Sequence, residues 1–164
     1  MKKIRTILIL FFLFTQISCQ RNRRDVIKSV GSWSTGPDVI VCVSAPVTRD
    51  HVSSAVLFWE NLGHHFGDIH ERKCKGYPRK GEIWISGASR YDDLDDDDFA
   101  GTSWAVNDIS GEIHWAYIKI RTVKPRVLEH EIGHALGYIH IASQDHLMNF
   151  DYSRGGWKTD GLLI

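Results

Sequence analysis

The chain has 164 residues, 43% of them hydrophobic and 24% charged, which fits one ordinary globular domain built around one core. Its 20 basic and 20 acidic side chains balance. Nothing in that charge supplies the basic footprint of a nucleic-acid partner.

The first residues stand apart from the rest. Lys2, Lys3 and Arg5 precede an apolar run from Ile7 to Phe14, and small or polar residues follow, which is the layout of a secretory signal over residues 1–18. The run falls short of the roughly 20 residues that a bilayer-spanning helix needs, and Arg21, Arg23 and Arg24 follow it, so export is the expectation. Cys19 follows Ile17 and Ser18 and stands where a bacterial lipoprotein carries its lipidated cysteine, although Gln16 replaces the aliphatic residue of that pattern. Three outcomes stay open: a cell-envelope lipoprotein attached to the membrane through its N-terminus, a secreted protein cleaved nearby, and an uncleaved N-terminal anchor. Cleavage before Cys19 removes Lys2, Lys3 and Arg5 and leaves 17 basic against 20 acidic side chains. Cys42 and Cys74 form an even pair in an exported chain, where a disulfide and two buried free thiols are both open readings.

Residues 19–37 are polar and glycine-containing and read as a tether, with the folded domain over 38–164. Val39 to Val43 is a continuous β-branched run, as in a strand buried on both faces. From about Asp50, the residues Val52, Ala55, Val56, Trp59, Leu62 and Phe66 recur at helical spacing, with Gly63 and Gly67 marking the end. Ile69 to Cys74 is a second strand candidate. Glu82 to Ser86 alternates Ile83 and Ile85 with Glu82, Trp84 and Ser86, so it reads as a strand with two distinct faces. Six aspartates between Tyr91 and Phe99 place a solvated loop there. Thr102 to Val106 and Glu112 to Ile120 are two more strands, separated by the turn-forming Asn107-Asp108-Ile109-Ser110-Gly111. Pro125 suits the first turn of a helix that runs to about Leu136. A strand, a helix and further strands predict a mixed sheet with a right-handed crossover.

The chemistry concentrates at the end of that last helix. Residues four apart on a helix share a face, so His130 and His134 aim two imidazoles at one point. Gly137 lets the chain leave the helix through a left-handed conformation, which returns His140 toward the same point. Three neutral imidazoles leave a fourth tetrahedral position open, the arrangement of a catalytic Zn2+ rather than a structural one. Glu131 follows the first ligand and lies beside the metal without binding it, placed to act as general base on a zinc-activated water that attacks a peptide bond.

His130-Glu131-Ile132-Gly133-His134-Ala135-Leu136-Gly137-Tyr138-Ile139-His140 resembles the zinc signature of the metzincin metalloproteases at every fixed position. The resemblance implies His130, His134 and His140 as zinc ligands and Glu131 as the general base. It also implies a methionine turn beneath the metal, and Met148, eight residues after His140, looks like that of the matrixin branch. The implied fold is α/β (α+β), a zincin-like catalytic domain with a twisted mixed five-stranded sheet and an active-site helix. In such a domain a protein or peptide substrate lies extended along the edge strand, here near Gly101 to Val106. The same topology sets the strands holding Cys42 and Cys74 side by side, which favours the disulfide. The similarity covers roughly residues 38–150, and its last twenty are the specific part. Ile141 stands where matrixins usually have serine, and Asn149-Phe150 replaces the tyrosine and proline after the turn methionine, so that branch's specificity does not transfer. A zinc-containing peptide-binding protein without turnover and a zinc amidase acting on cell-wall material are the alternative functions.

Other residues carry blander readings. Met148 outside this context is core filler. His51, His64, His65, His70, His114 and His146 show no ligand spacing, although His146 lies close to the methionine turn. Asp92, Asp93, Asp95, Asp96, Asp97 and Asp98 are a candidate Ca2+ site, supported by matrixins binding calcium in the corresponding loop, but the run lacks the glycine and terminal glutamate of an EF-hand. Trp84, Trp104 and Trp115 are read as packing residues.

Overall fold

The computed structural model describes residues 28–89, 94 and 98–164. The expected signal segment and Cys19 lie outside them, as do five of the six aspartates, with only Asp98 described. No helix among the described residues is long and apolar enough to cross a membrane.

Among the described residues the fold is mixed α/β, with a five-stranded mixed sheet and two helices. Its elements in chain order are β1 (Asp38–Cys42), α1 (Arg49–Glu60), β2 (Ile69–Arg72), β3 (Glu82–Gly87), β4 (Ala100–Val106), β5 (Ile113–Ile120) and α2 (Val127–Ala135). The strand order is β2-β1-β3-β5-β4. β2, β1, β3 and β5 run parallel, and β4 joins the edge antiparallel to β5.

One sheet face carries the main core. Val39, Val41, Ile83, Ile85, Ala116, Ile118 and Ile120 point from the strands toward α1 and α2. Thr48 caps α1 by accepting the His51 amide at 3.3 Å, and the helix buries Val52, Ala55, Val56 and Trp59. Its end comes earlier than the apolar spacing predicts: Gly63 turns the chain at φ +96°, leaving Phe66 beyond the helix. The Trp59 indole donates to the Glu129 carbonyl at 2.9 Å and so ties α1 to α2.

The alternation expected in β3 is present, but both faces are covered. Trp84 is buried with Ile40 and Cys42 on the side away from the helices, against Cys74 and Tyr117. Glu82 belongs to the same side and accepts from Arg72, the Arg79 amide and the Trp84 indole at 2.7, 3.0 and 2.7 Å. Burial pushes its carboxyl up, but those three donors outweigh it and hold the group below the ordinary carboxylate value.

The open question about the cysteines closes here, because Cys42 and Cys74 form a disulfide across a sequence separation of 32 residues. Opening a loop of that length costs roughly 3 to 4 kcal/mol of stability on the chain-entropy model. Replacing both cysteines with serine is therefore expected to lower the denaturation midpoint clearly while the far-ultraviolet circular dichroism stays native. An unchanged midpoint would show that the bridge contributes nothing.

Two boundary expectations change. Residues 28–37 are not a free tether: the Val30 amide donates to the Gly137 carbonyl, Ser32 exchanges bonds with Gly111 and Ile113, and the Trp33 indole donates to the Ala135 carbonyl at 2.9 Å. Pro125 does not sit in the first turn of α2. It occupies the second position of a turn closed by the Val127 amide on the Lys124 carbonyl, and Arg126, at φ 71° and ψ −14°, takes the third. Those angles belong to a type II turn, which glycine or asparagine normally fills. Arg126 is held there by its guanidinium, which donates to the Tyr152 carbonyl at 3.2 Å and to that of Gly156 at 3.5 Å and lies over the Tyr152 ring.

Candidate metal centre

α2 delivers two of the three expected ligands. His130 and His134 sit one turn apart, Gly137 leaves the helix at φ +103°, and His140 closes the group. The Nε2 atoms of His134 and His130 lie 3.0 Å apart, those of His134 and His140 3.0 Å, and those of His130 and His140 3.2 Å.

Tautomers give this triangle its meaning. The His130 Nδ1 lies 2.7 Å from the Leu147 carbonyl and the His134 Nδ1 2.7 Å from the Tyr138 carbonyl. A carbonyl only accepts, so both Nδ1 atoms carry protons and both Nε2 atoms present bare lone pairs. Two such lone pairs 3.0 Å apart repel, and no proton lies between them to form a hydrogen bond. A cation removes the repulsion. The size of the triangle also fits one: its three corners lie about 1.8 Å from the centre, so a point roughly 2.0–2.1 Å from all three sits about 1 Å above its plane, at zinc–nitrogen distance. The two carbonyls fix the ring orientation in the way usual for ligating histidines. The three-histidine group can therefore hold a metal ion.

No family model matches the chain, and no curated protein matches it. What the centre can do rests on its own geometry.

Glu131 is buried, and burial pushes its carboxyl up to about 7; the Thr102 hydroxyl pulls it down and the Asp98 charge pushes it further up. Burial also holds His130 at about 4 and His134 at about 3, since the charged imidazole loses its solvent. In the metal-free protein the folded state thus carries fewer protons than the unfolded chain on two histidines below their ordinary 6.5, and more on Glu131 between its ordinary 4.5 and about 7. Two sites outweigh one. Stability of the metal-free protein is expected to fall as pH drops from about 6.5 toward about 4. Thermal melts in chelator across that window check the sign, and a melting temperature that rises toward acid would contradict it.

Met148 is fully buried beneath the centre. A Cβ on Gly133 would lie 2.5 Å from its sulfur and 2.7 Å from Trp59, so α2 needs glycine at this point to approach the methionine and the tryptophan. The turn is pinned by His146, whose Nδ1 accepts the Met148 amide at 3.0 Å. Its proton therefore resides on Nε2, 3.2 Å from the Asp160 carbonyl that accepts it. The proximity of His146 to the methionine turn thus reflects a supporting role in a satisfied core. Of the remaining histidines, His64 is the buried one, and it meets Tyr138 and the Leu162 carbonyl.

A cleft of about 580 Å³ opens over the three histidines. Gly101, Thr102 and Trp104 of β4 form one wall, and Asn149, Phe150 and Tyr152 form the other. Trp104 is part of that wall as well as a packing residue, and Phe150 is 60% exposed. Sequence reasoning missed Thr102, whose hydroxyl donates to Glu131 Oε2 at 2.6 Å. It also missed Gly133 and Arg126, and for Arg126 the signal was present: arginine just after Pro125 where a capping residue is usual.

Proposed function

We propose that the chain is a zinc metalloendopeptidase of the metzincin type, nearest the matrixin branch, acting on extended peptides outside the cytoplasm. The observation that carries the reading is the convergence of three imidazole nitrogens in an open cleft that a buried carboxylate also lines. Three neutral nitrogen donors suit zinc, which when bound supplies Lewis acidity that makes water nucleophilic near neutral pH and polarises an amide carbonyl.

The side chains do the rest. Among the described residues β4 is the last strand in the sheet and carries no further strand on its outer edge, which borders the cleft, where an extended peptide can add as a further strand. Glu131 takes one proton from the attacking water, whose oxygen forms a bond to the carbonyl carbon. As the C–N bond breaks, Glu131 returns that proton to the departing nitrogen. A carboxyl pushed up by burial suits both halves of this shuttle. The disulfide supports a site outside the reducing cytosol.

A peptide library incubated with the protein tests the reading directly. Internal cleavage is expected, abolished by a zinc chelator and restored by added zinc. Cleavage indifferent to the chelator, or none at all by the zinc-loaded protein, would overturn it.

A further inference from the structure

Ala100, Thr102 and Trp104 alternate along β4 and share the face turned to α2, where Ala100 and Trp104 pack against the main core. Thr102 is the polar member of that row. Its hydroxyl lies 2.6 Å from Glu131 Oε2 and 3.2 Å from the Glu131 backbone oxygen. A threonine hydroxyl has one proton to donate, and the shorter contact to the charged acceptor takes it.

We propose that Thr102 is a positioning residue that selects which carboxylate oxygen of Glu131 acts as the base. This rests on the metallopeptidase reading. With Oε2 held by the edge strand, rotation of the carboxylate about its last side-chain bond is arrested, and Oε1 is the oxygen left to face the water above the three histidines. The restraint has a second effect. A buried carboxylate next to a metal in an open coordination site tends to swing in as a ligand, which would fill the position that water needs. The Thr102 hydroxyl holds Glu131 back from that swing. Because Thr102 lies on the strand that borders the cleft, the same backbone that pairs a substrate also sets the base. Substrate alignment and proton transfer then share one rigid element.

Thr102→Val keeps the shape of the side chain and removes the donor, whereas Thr102→Ser keeps the donor. The test loads the unmodified protein and both variants with cobalt as a spectroscopic probe and, separately, with zinc for kinetics. In the cobalt form, Thr102→Val is expected to shift the visible absorption bands as Glu131 moves toward the metal, and Thr102→Ser to match the unmodified protein. With zinc, Thr102→Val is expected to lower kcat by roughly 10- to 100-fold with KM within about twofold, at full zinc content, and Thr102→Ser to recover most of the loss. A Thr102→Val protein with unmoved cobalt bands and unmoved kcat would overturn the proposal. If the bands shift but none of the three proteins cleaves any peptide, the positioning role stands and the peptidase reading falls.

Discussion

Glu131→Ala is expected to bind one zinc per chain, as is the unmodified protein, and to lose turnover by about 10²- to 10⁴-fold. The two halves of that result come from different parts of the site. Metal affinity is expected to come from His130, His134 and His140 and from the carbonyls of Leu147 and Tyr138 that orient two of them, whereas the Glu131 carboxylate is hydrogen-bonded to Thr102. Turnover requires a group that accepts a proton from water and releases it to an amine, and Glu131 is a buried carboxylate that lines the same cleft as the three histidines. Zinc content by atomic absorption and cleavage of a quenched-fluorescence peptide measure the two quantities on one preparation. A variant as fast as the parent would remove the general-base role while leaving the metal site intact.

Metal binding itself should be the larger stabilising event. The Nε2 atoms of His130 and His134 lie 3.0 Å apart while both Nδ1 atoms meet carbonyls, an arrangement that a cation between the nitrogens stabilises. A ligand present at about 1,000 times its dissociation constant adds about 4 kcal/mol. For a domain of this size that corresponds to a rise in melting temperature of roughly 10 to 20 °C. Zinc is expected to produce such a rise and a chelator to reverse it, with His134→Ala insensitive to both. Scanning calorimetry at fixed pH reads the shift. A rise of the same size in His134→Ala would place the binding elsewhere in the molecule.

The strands were legible because burial is written into their residues: Val39 to Cys42, buried on both faces, is a continuous apolar run, and β5 sets Ala116, Ile118 and Ile120 toward the core with Tyr117 and Lys119 between them. The metal ligands were legible for a different reason. Their spacing is a local property of one helix and one glycine turn, so eleven consecutive residues contain the whole construction. Features that depend on distant partners left no local trace. Ser29 to Trp33 have no periodicity, and their order comes from partners at Glu112 and at Ala135 to Tyr138. Thr102 is an unremarkable strand residue until β4 lies beside α2. The last dozen residues were silent too, although Leu162 is fully buried and its carbonyl accepts from Tyr138 at 3.2 Å. Pro125 misled because one residue type serves two turn geometries, and the hydrogen bond from Val127 to Lys124 decides between them.

The strap formed by residues 28–33 also dictates an order of events during synthesis. Trp33 and its acceptor Ala135 are 102 residues apart, and the Lys28 carbonyl accepts from Ile139, immediately before the last ligand. A chain made from its N-terminus can seat Ser32 once Gly111 and Ile113 have emerged, but Lys28, Val30 and Trp33 wait for Ala135 to Ile139. The strap is therefore complete only once Ile139 exists, and a truncated product that stops short of Gly137 lacks both its last bonds and the third histidine.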